Sequence, residues 1–316
     1  MGFFTKIKKN TGSLAVSFLD DGICAAHIKR SAAARPAVEL LAFYPSSMPP
    51  SATQLEKIGK DLHADGFACA TVLNPGEYQL LTVEAPNVPQ EELKTAMRWR
   101  LKDMLDFHID DATIDVMDIP GDSNAPVRSR SMYAVAARNQ IIEQRQVLFA
   151  QAKIPLNVID IPEMAQRNIA QLLETEGRGI AFLSFGAYGG LLTVTYAGEL
   201  YLSRHIEANL PQLDAADESQ KNEWFDRITL ELQRSLDHFD RQFHFITVAR
   251  LVLGPMAQGG ASLQQYLASN LYLPVEQLDL DAVLDMSRIP ELAEIESQQR
   301  YFFTLGAALR LEEKVL

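Results

Sequence analysis

No apolar run in the 316-residue sequence reaches the roughly 20 residues that a membrane-crossing helix needs. No charged-then-apolar leader opens the chain. Together these absences set the expectation of a protein made and kept in the cytoplasm. Cysteine is nearly missing: Cys24 and Cys69 are the only two. Each lies in an apolar, strand-like stretch, so buried free thiols are expected rather than a disulfide. No Cys/His cluster has the spacing of a zinc site. His238 and His244 share a predicted helix, but their spacing does not bring both rings to one face. The glycines from Gly186 to Gly190 have no lysine after them, so they do not make a P-loop.

Positive charge is also short. The 29 Lys and Arg stand against 41 Asp and Glu, a net charge of −12, which argues against wrapping nucleic acid or coating an anionic membrane with the whole surface. Acid pairs such as Asp20/Asp21 and Asp110/Asp111 sit in turn-like contexts and are read as solvated. The N-terminal Phe3-Phe4 beside Lys6, Lys8 and Lys9 is read as a frayed end with solubilising lysines rather than a membrane anchor. Composition is otherwise that of a globular protein, 47% hydrophobic with no low-complexity tract. The length suggests two lobes.

The local pattern opens as α/β. Residues 13–30 read as a hairpin around Asp20-Asp21-Gly22, where an Asp-Gly turn favours positive φ at its centre. A third strand at 38–43, a helix at 53–63 and a strand at 67–73 follow. Residues 78–160 read as a distinct unit: a strand at 79–83, a helix from Glu91 with Leu93, Ala96, Met97, Leu101, Met104 and Leu105 on one face, and strands at 113–119 and 132–137 joined by the loose connection 121–130. A helix at 140–152 and a strand at 156–160 are read as closing it. Beyond a helix starting near Pro162 the plan repeats: an apolar strand at 179–187 and a hairpin at 191–205 around Ala197-Gly198. Then come a polar loop at 207–223, a long helix at 223–245 striped with Phe225, Ile228, Leu232, Leu236, Phe239 and Phe243, a strand at 250–253, a helix at 262–271, a strand at 275–278 and a final helix.

Several segments, in order, resemble the PilM and GspL families of pilus and secretion machinery. They are Val88 to Leu93 through Trp99 to Phe107, then Asp115, Tyr133 to Arg138, Ile161-Pro162-Glu163, Ser184 to Ala187, Glu231 to Asp237, Leu253-Gly254-Pro255, and Leu305 to Arg310. The resemblance spans nearly the whole chain and rests on order and spacing more than on any single motif. Within the group it is most similar to MshI-type PilM counterparts of the mannose-sensitive haemagglutinin (MSHA) pilus. The resemblance implies a two-lobed actin/Hsp70/FtsA fold with an inserted FtsA-like subdomain. The boundaries expected are 1–77 for the first-lobe core, 78–160 for the insert, 161–178 for a first-lobe helix, 179–297 for the second lobe and 298–316 for a C-terminal helix returning to the first lobe.

Such a fold implies a nucleotide between two phosphate hairpins, each with an Asp-x-Gly. Here the pattern falls on Ser17-Phe18-Leu19 and on Ser184-Phe185-Gly186-Ala187, so neither loop has its metal-organising aspartate, and Leu19 replaces a glycine. Asp20 and Asp21 are read as turn residues rather than as stand-ins. On the adenosine side, Glu231 and Arg234, with Ser235 and His238, recur at helical spacing; Gly254 remains, though Pro255 replaces its glycine neighbour. The residues the resemblance places at a nucleotide are therefore Ser17, Ser184, Gly186, Ala187, Glu231, Arg234 and Gly254, with no catalytic residue and no metal. No cofactor is expected to be required; ATP is the one nucleotide the adenosine side leaves open, as a slow or regulatory ligand.

The function implied is a scaffold at the cytoplasmic face of the inner membrane, touching the membrane only through its partners. It would bind the N-terminal tail of a PilN-like protein (MshJ in that system), with the pilus assembly ATPase as a further partner. The tail's groove is expected between the first lobe and the helix carrying Met97, Trp99, Leu101 and Met104.

Overall fold

Along β1 (Ser13–Leu19), Leu14, Val16 and Phe18 alternate with Ala15 and Ser17, so the strand sends a row of side chains to each face of its sheet. The computed structural model describes residues 12–31, 34–47, 49–122, 130–215 and 217–311. The lysine-rich N-terminal segment and most of the connection expected at 121–130 lie outside the described residues. β1 pairs antiparallel with β2 (Gly22–Ser31), and β2 with β3 (Ala34–Pro45). After α1 (Ala52–Asp61), β4 (Ala68–Val72) joins β1 in parallel. The β1–β2 turn holds two residues, Asp20 and Asp21, because Leu19 pairs with Gly22. Neither has the positive φ expected of an Asp-Gly turn. Gly22 answers a need for space instead: a Cβ there would lie 2.5 Å from the Tyr44 carbonyl oxygen.

The chain then leaves the sheet. β5 (Tyr78–Glu84), α2 (Gln90–Leu101), β6 (Ala112–Ile119) and β7 (Ser131–Arg138) form a separate three-stranded sheet of order β5-β7-β6 with one helix. Met97 and Leu101 of α2 are fully buried against Val83, Met132 and Ala134, whereas Met104, expected on the same stripe, is exposed because the helix ends before it. This unit ends at Arg138, not at residue 160. α3 (Asn139–Gln151) leads back to the first sheet, where Phe149, Ala152 and Ile154 pack with Leu14, Val16 and Phe18. β8 (Leu156–Asp160) pairs with β4 and completes the order β3-β2-β1-β4-β8.

α4 (Pro162–Leu173) leads to the second sheet, built from β9 (Gly179–Gly186), β10 (Gly189–Tyr196), β11 (Glu199–Ile206), β12 (Val248–Leu253) and β13 (Val275–Gln277). Its order, β11-β10-β9-β12-β13, repeats that of the first. At the β10–β11 turn Ala197 and Gly198 both have positive φ, the geometry of a tight hairpin. The stretch expected as a loop at 207–223 holds α5 (Leu210–Ala215) and the start of α6 (Glu218–Gln242). A capping box fixes that start: Asp217 accepts from the Gln220 backbone N–H and Gln220 returns the bond. Phe225, Ile228, Leu232, Leu236 and Phe239 of α6 cover the outer face of the second sheet. α7 (Gly260–Asn270), the one-turn α8 (Leu280–Val283) and α9 (Ile295–Ala308) follow. α9 starts earlier and ends sooner than the expected 298–316, of which 312–316 lie outside the described residues.

The alternation along the strands explains how the two sheets meet. Ala15, Cys24, Ala26 and Ile28 of the first sheet and Ile180, Phe182 and Val252 of the second turn toward a shared layer of α4 and α9. α9 lies against β1, β2 and β4, whereas α4 packs on α9 and on β9, β10 and β11. α4 therefore joins the lobes rather than belonging to the first alone. The two helices cross at backbone contact: a Cβ on Gly306 would lie 2.2 Å from the Ala165 carbonyl oxygen. Both cysteines are buried, and burial pushes each thiol up to about 12.

Candidate functional site: a cleft between the sheets

A cleft of about 1110 Å³ opens where the two hairpins approach each other. Its walls come from the tips of β1–β2 and β9–β10, the β4–β5 connection, β5, the first turn of α4, and the early turns of α9. Of the seven residues expected at a nucleotide, Ser17, Ser184, Gly186 and Ala187 line it. Gly254 lies directly behind, where a Cβ would meet that of Ser184 at 3.0 Å, and its neighbour Pro255 reaches the cleft. Glu231 and Arg234 are not part of this lining; they sit on α6, which packs on α7 and β11.

The two serines that replace aspartate differ in their surroundings. Ser184 is buried, and its hydroxyl donates to Gln166 Oε1 at 2.5 Å. The Gln166 amide in turn donates to the Phe182 and Leu191 carbonyls and to Thr193 Oγ1. Ser184 thus ties β9 to α4. Ser17 is buried as well, but among the described residues its hydroxyl has no hydrogen-bond partner. The glycines differ as well. At Gly186 a Cβ would meet nothing nearer than the Gly189 carbonyl at 3.9 Å, so the fold itself does not require glycine there.

Polar groups that sequence reasoning missed dominate the mouth and floor. Tyr188, at the tip of β9–β10, donates its hydroxyl to Asp20 Oδ1, at the tip of β1–β2, over 2.7 Å. That bond, with burial second, pushes the phenol up to about 12. Arg300 of α9 pairs with Asp21 at 2.7 Å and stacks over the Phe43 ring at 4.3 Å. On the floor, Tyr78 donates to Glu163 Oε2 at 2.6 Å. Burial holds the Glu163 carboxyl above the ordinary range, and the Tyr78 hydrogen bond only partly opposes it. The one available signal was Glu163's position after Pro162, in the first turn of a helix. Among the described residues no group of His, Cys, Asp and Glu is placed to hold a metal ion, and no helix is long and apolar enough to cross a membrane.

The inserted sheet borders this cleft through Leu80, Leu81, Thr82 and Tyr133. Tyr133 is hydrogen-bonded to the Ser203 backbone and, with Ile119, belongs to the hydrophobic core of the second lobe. The outer side of the insert is different. Trp99 is 74% exposed, and Met104 and Val88 are exposed as well, while Met97 and Leu101, on the apolar stripe of the same helix, are buried in the core of the insert.

No protein-family model and no curated protein sequence matches the chain. Solved structures do. A chain of a PilM-PilN type IV pilus biogenesis complex is similar over 95% of this chain and 98% of its own, with 18% identity and a TM-score of 0.71. A Bacteroides thetaiotaomicron protein described as having an actin-like ATPase fold is similar over 93% of this chain and 99% of its own, with 8% identity and a TM-score of 0.50. The chain has the two-lobed actin-like fold.

Proposed function

We propose that this protein is a scaffold of a type IV pilus assembly machine, at the cytoplasmic face of the inner membrane, that binds the N-terminal tail of a PilN-like membrane protein. The observation that carries the reading is the end-to-end likeness to a chain of the PilM-PilN complex, which leaves 2% of that chain uncovered. The MSHA-like system, with MshJ as the PilN-like partner, is the finer form of the proposal and rests on the sequence resemblance; the assembly ATPase would be a further partner. Trp99, the most exposed large hydrophobic side chain among the described residues, is the side chain suited to anchor such a tail.

The cleft supports a scaffold rather than an efficient ATPase. Metal-bound phosphates need carboxylates or open amides aimed at them. Here Ser184 is committed to Gln166, and the carboxylates at the mouth are held by Tyr188 and Arg300. A polyphosphate entering between Asp20 and Asp21 would meet like charge. One observation favours a second reading, a slow or regulatory ATP-binding protein: the open space at Gly186, since glycine without a folding reason suits close approach of a ligand.

Titration calorimetry separates the two readings. The scaffold reading expects saturable binding of a PilN-like tail peptide, weakened about tenfold or more by Trp99→Ala, and no heat with Mg-ATP. Saturable Mg-ATP binding with measurable hydrolysis would bring the ATPase reading forward. Absence of peptide binding would end the scaffold reading.

A further inference from the structure

Both cleft hairpins have two-residue tips, because Leu19 pairs with Gly22 and Gly186 with Gly189. Asp20 and Tyr188 therefore stand on short, registered turns, and the hydrogen bond between them joins positions 168 residues apart. The first tip is braced from behind: Arg300 pairs with Asp21 and stacks on Phe43, which fixes the turn against α9. The second tip is set by Gly189, whose φ of +140° only glycine adopts readily. At the other side of the cleft the lobes are joined by the tight α4–α9 crossing at Gly306 and Ala165. Among the described residues the lobes are thus joined by a buried pivot, by Tyr133 and Ile119 of the insert packed into the second-lobe core, and by this polar contact at the mouth.

We infer that the Tyr188–Asp20 hydrogen bond is a built-in latch that joins the two lobes across the mouth of the cleft through the protein's own side chains. Three features suit it to that task. Tyr188 is 48% exposed, so the contact is made at the surface and opens without disrupting a hydrophobic core. Its acceptor is a carboxylate, which makes the bond stronger than one between neutral groups. The phenol stays protonated, and so remains a donor, over the whole physiological range. Any ligand passing between the tips has to break this bond first, so the latch sets the threshold for entry into the cleft and for lobe opening.

Hydrogen exchange on the full chain, read by mass spectrometry, tests the inference. Tyr188→Phe keeps the ring and removes only the donor; Asp20→Ala removes the acceptor. Each is expected to speed amide exchange about fivefold in both turns, residues 19–22 and 186–189, although only one turn carries the change. The double variant should exchange no faster than either single one. Tyr272→Phe removes a comparable exposed bond, to Asp240 within the second lobe, and should leave both turns unchanged. Faster exchange confined to the substituted turn, additive effects in the double variant, or no change in Tyr188→Phe would each overturn the latch.

Discussion

The hairpins at the cleft carry nearly the same three residues, Ser17-Phe18-Leu19 and Ser184-Phe185-Gly186, at the same place in sheets of the same strand order. Their local chemistry has nonetheless diverged. In the second lobe the serine is tied into a buried network through Gln166, and the strand after the turn depends on Gly189. In the first lobe the serine hydroxyl has no partner among the described residues, and the glycine after the turn, Gly22, makes room for β3 without an unusual φ. A shared topology thus fixes where the tips stand, while the contacts behind each tip decide what it can do.

The largest way to break this comparison is at Gly189. A Cβ there would lie 2.2 Å from the His205 ring, on a backbone at φ +140°. Gly189→Ala is expected to cost about 2–3 kcal/mol in urea unfolding. His205→Ala in the same chain should recover only the steric part, because the angle stays strained; full recovery would mean that the ring alone mattered. The serines sharpen the contrast at smaller amplitude. Ser184→Ala strips a buried donor from Gln166 and should cost about 1–2 kcal/mol. Ser17→Ala removes a buried hydroxyl that bonds to none of the described residues and should be near neutral or slightly stabilising. Equal losses at the two sites would show that the hairpins are not distinct.

Much of the fold was legible because its strands are apolar runs bounded by turns, and because α6 and α2 carry clear helical stripes. Pairing was less so. Nothing local in Leu156–Asp160 says that it joins β4 rather than the inserted sheet, and this moved the insert's end from 160 to Arg138. The start of α6 was legible in principle, through the Asp217–Gln220 capping box, but the polar composition around it read as loop. At the site, the sequence located the serines and Gly186 but not their neighbours. Gln166, Tyr188 and Arg300 reach Ser184, Asp20 and Asp21 from separate elements, and no spacing in a chain encodes contacts of that kind.

The smallest effect expected is a pH dependence, and it belongs to neither hairpin but to the helix between the lobes. Glu163 is buried at the start of α4, and desolvation raises its carboxyl above the ordinary value despite the Tyr78 hydroxyl that donates to it. The folded protein therefore holds this proton at pH values where the unfolded chain has released it. Its contribution to stability is complete below the unfolded value near 4.5 and is lost as pH rises through the higher folded value. Once ionised, the buried carboxylate is a cost, tolerated beside Tyr78. Glu163→Gln keeps an acceptor for that hydroxyl and removes the charge. The variant's urea midpoint should therefore gain on the wild type's as pH rises above the unfolded value near 4.5 and through the higher folded value. Parallel curves would mean that Glu163 titrates alike in both states, and that its place between the lobes costs the fold nothing.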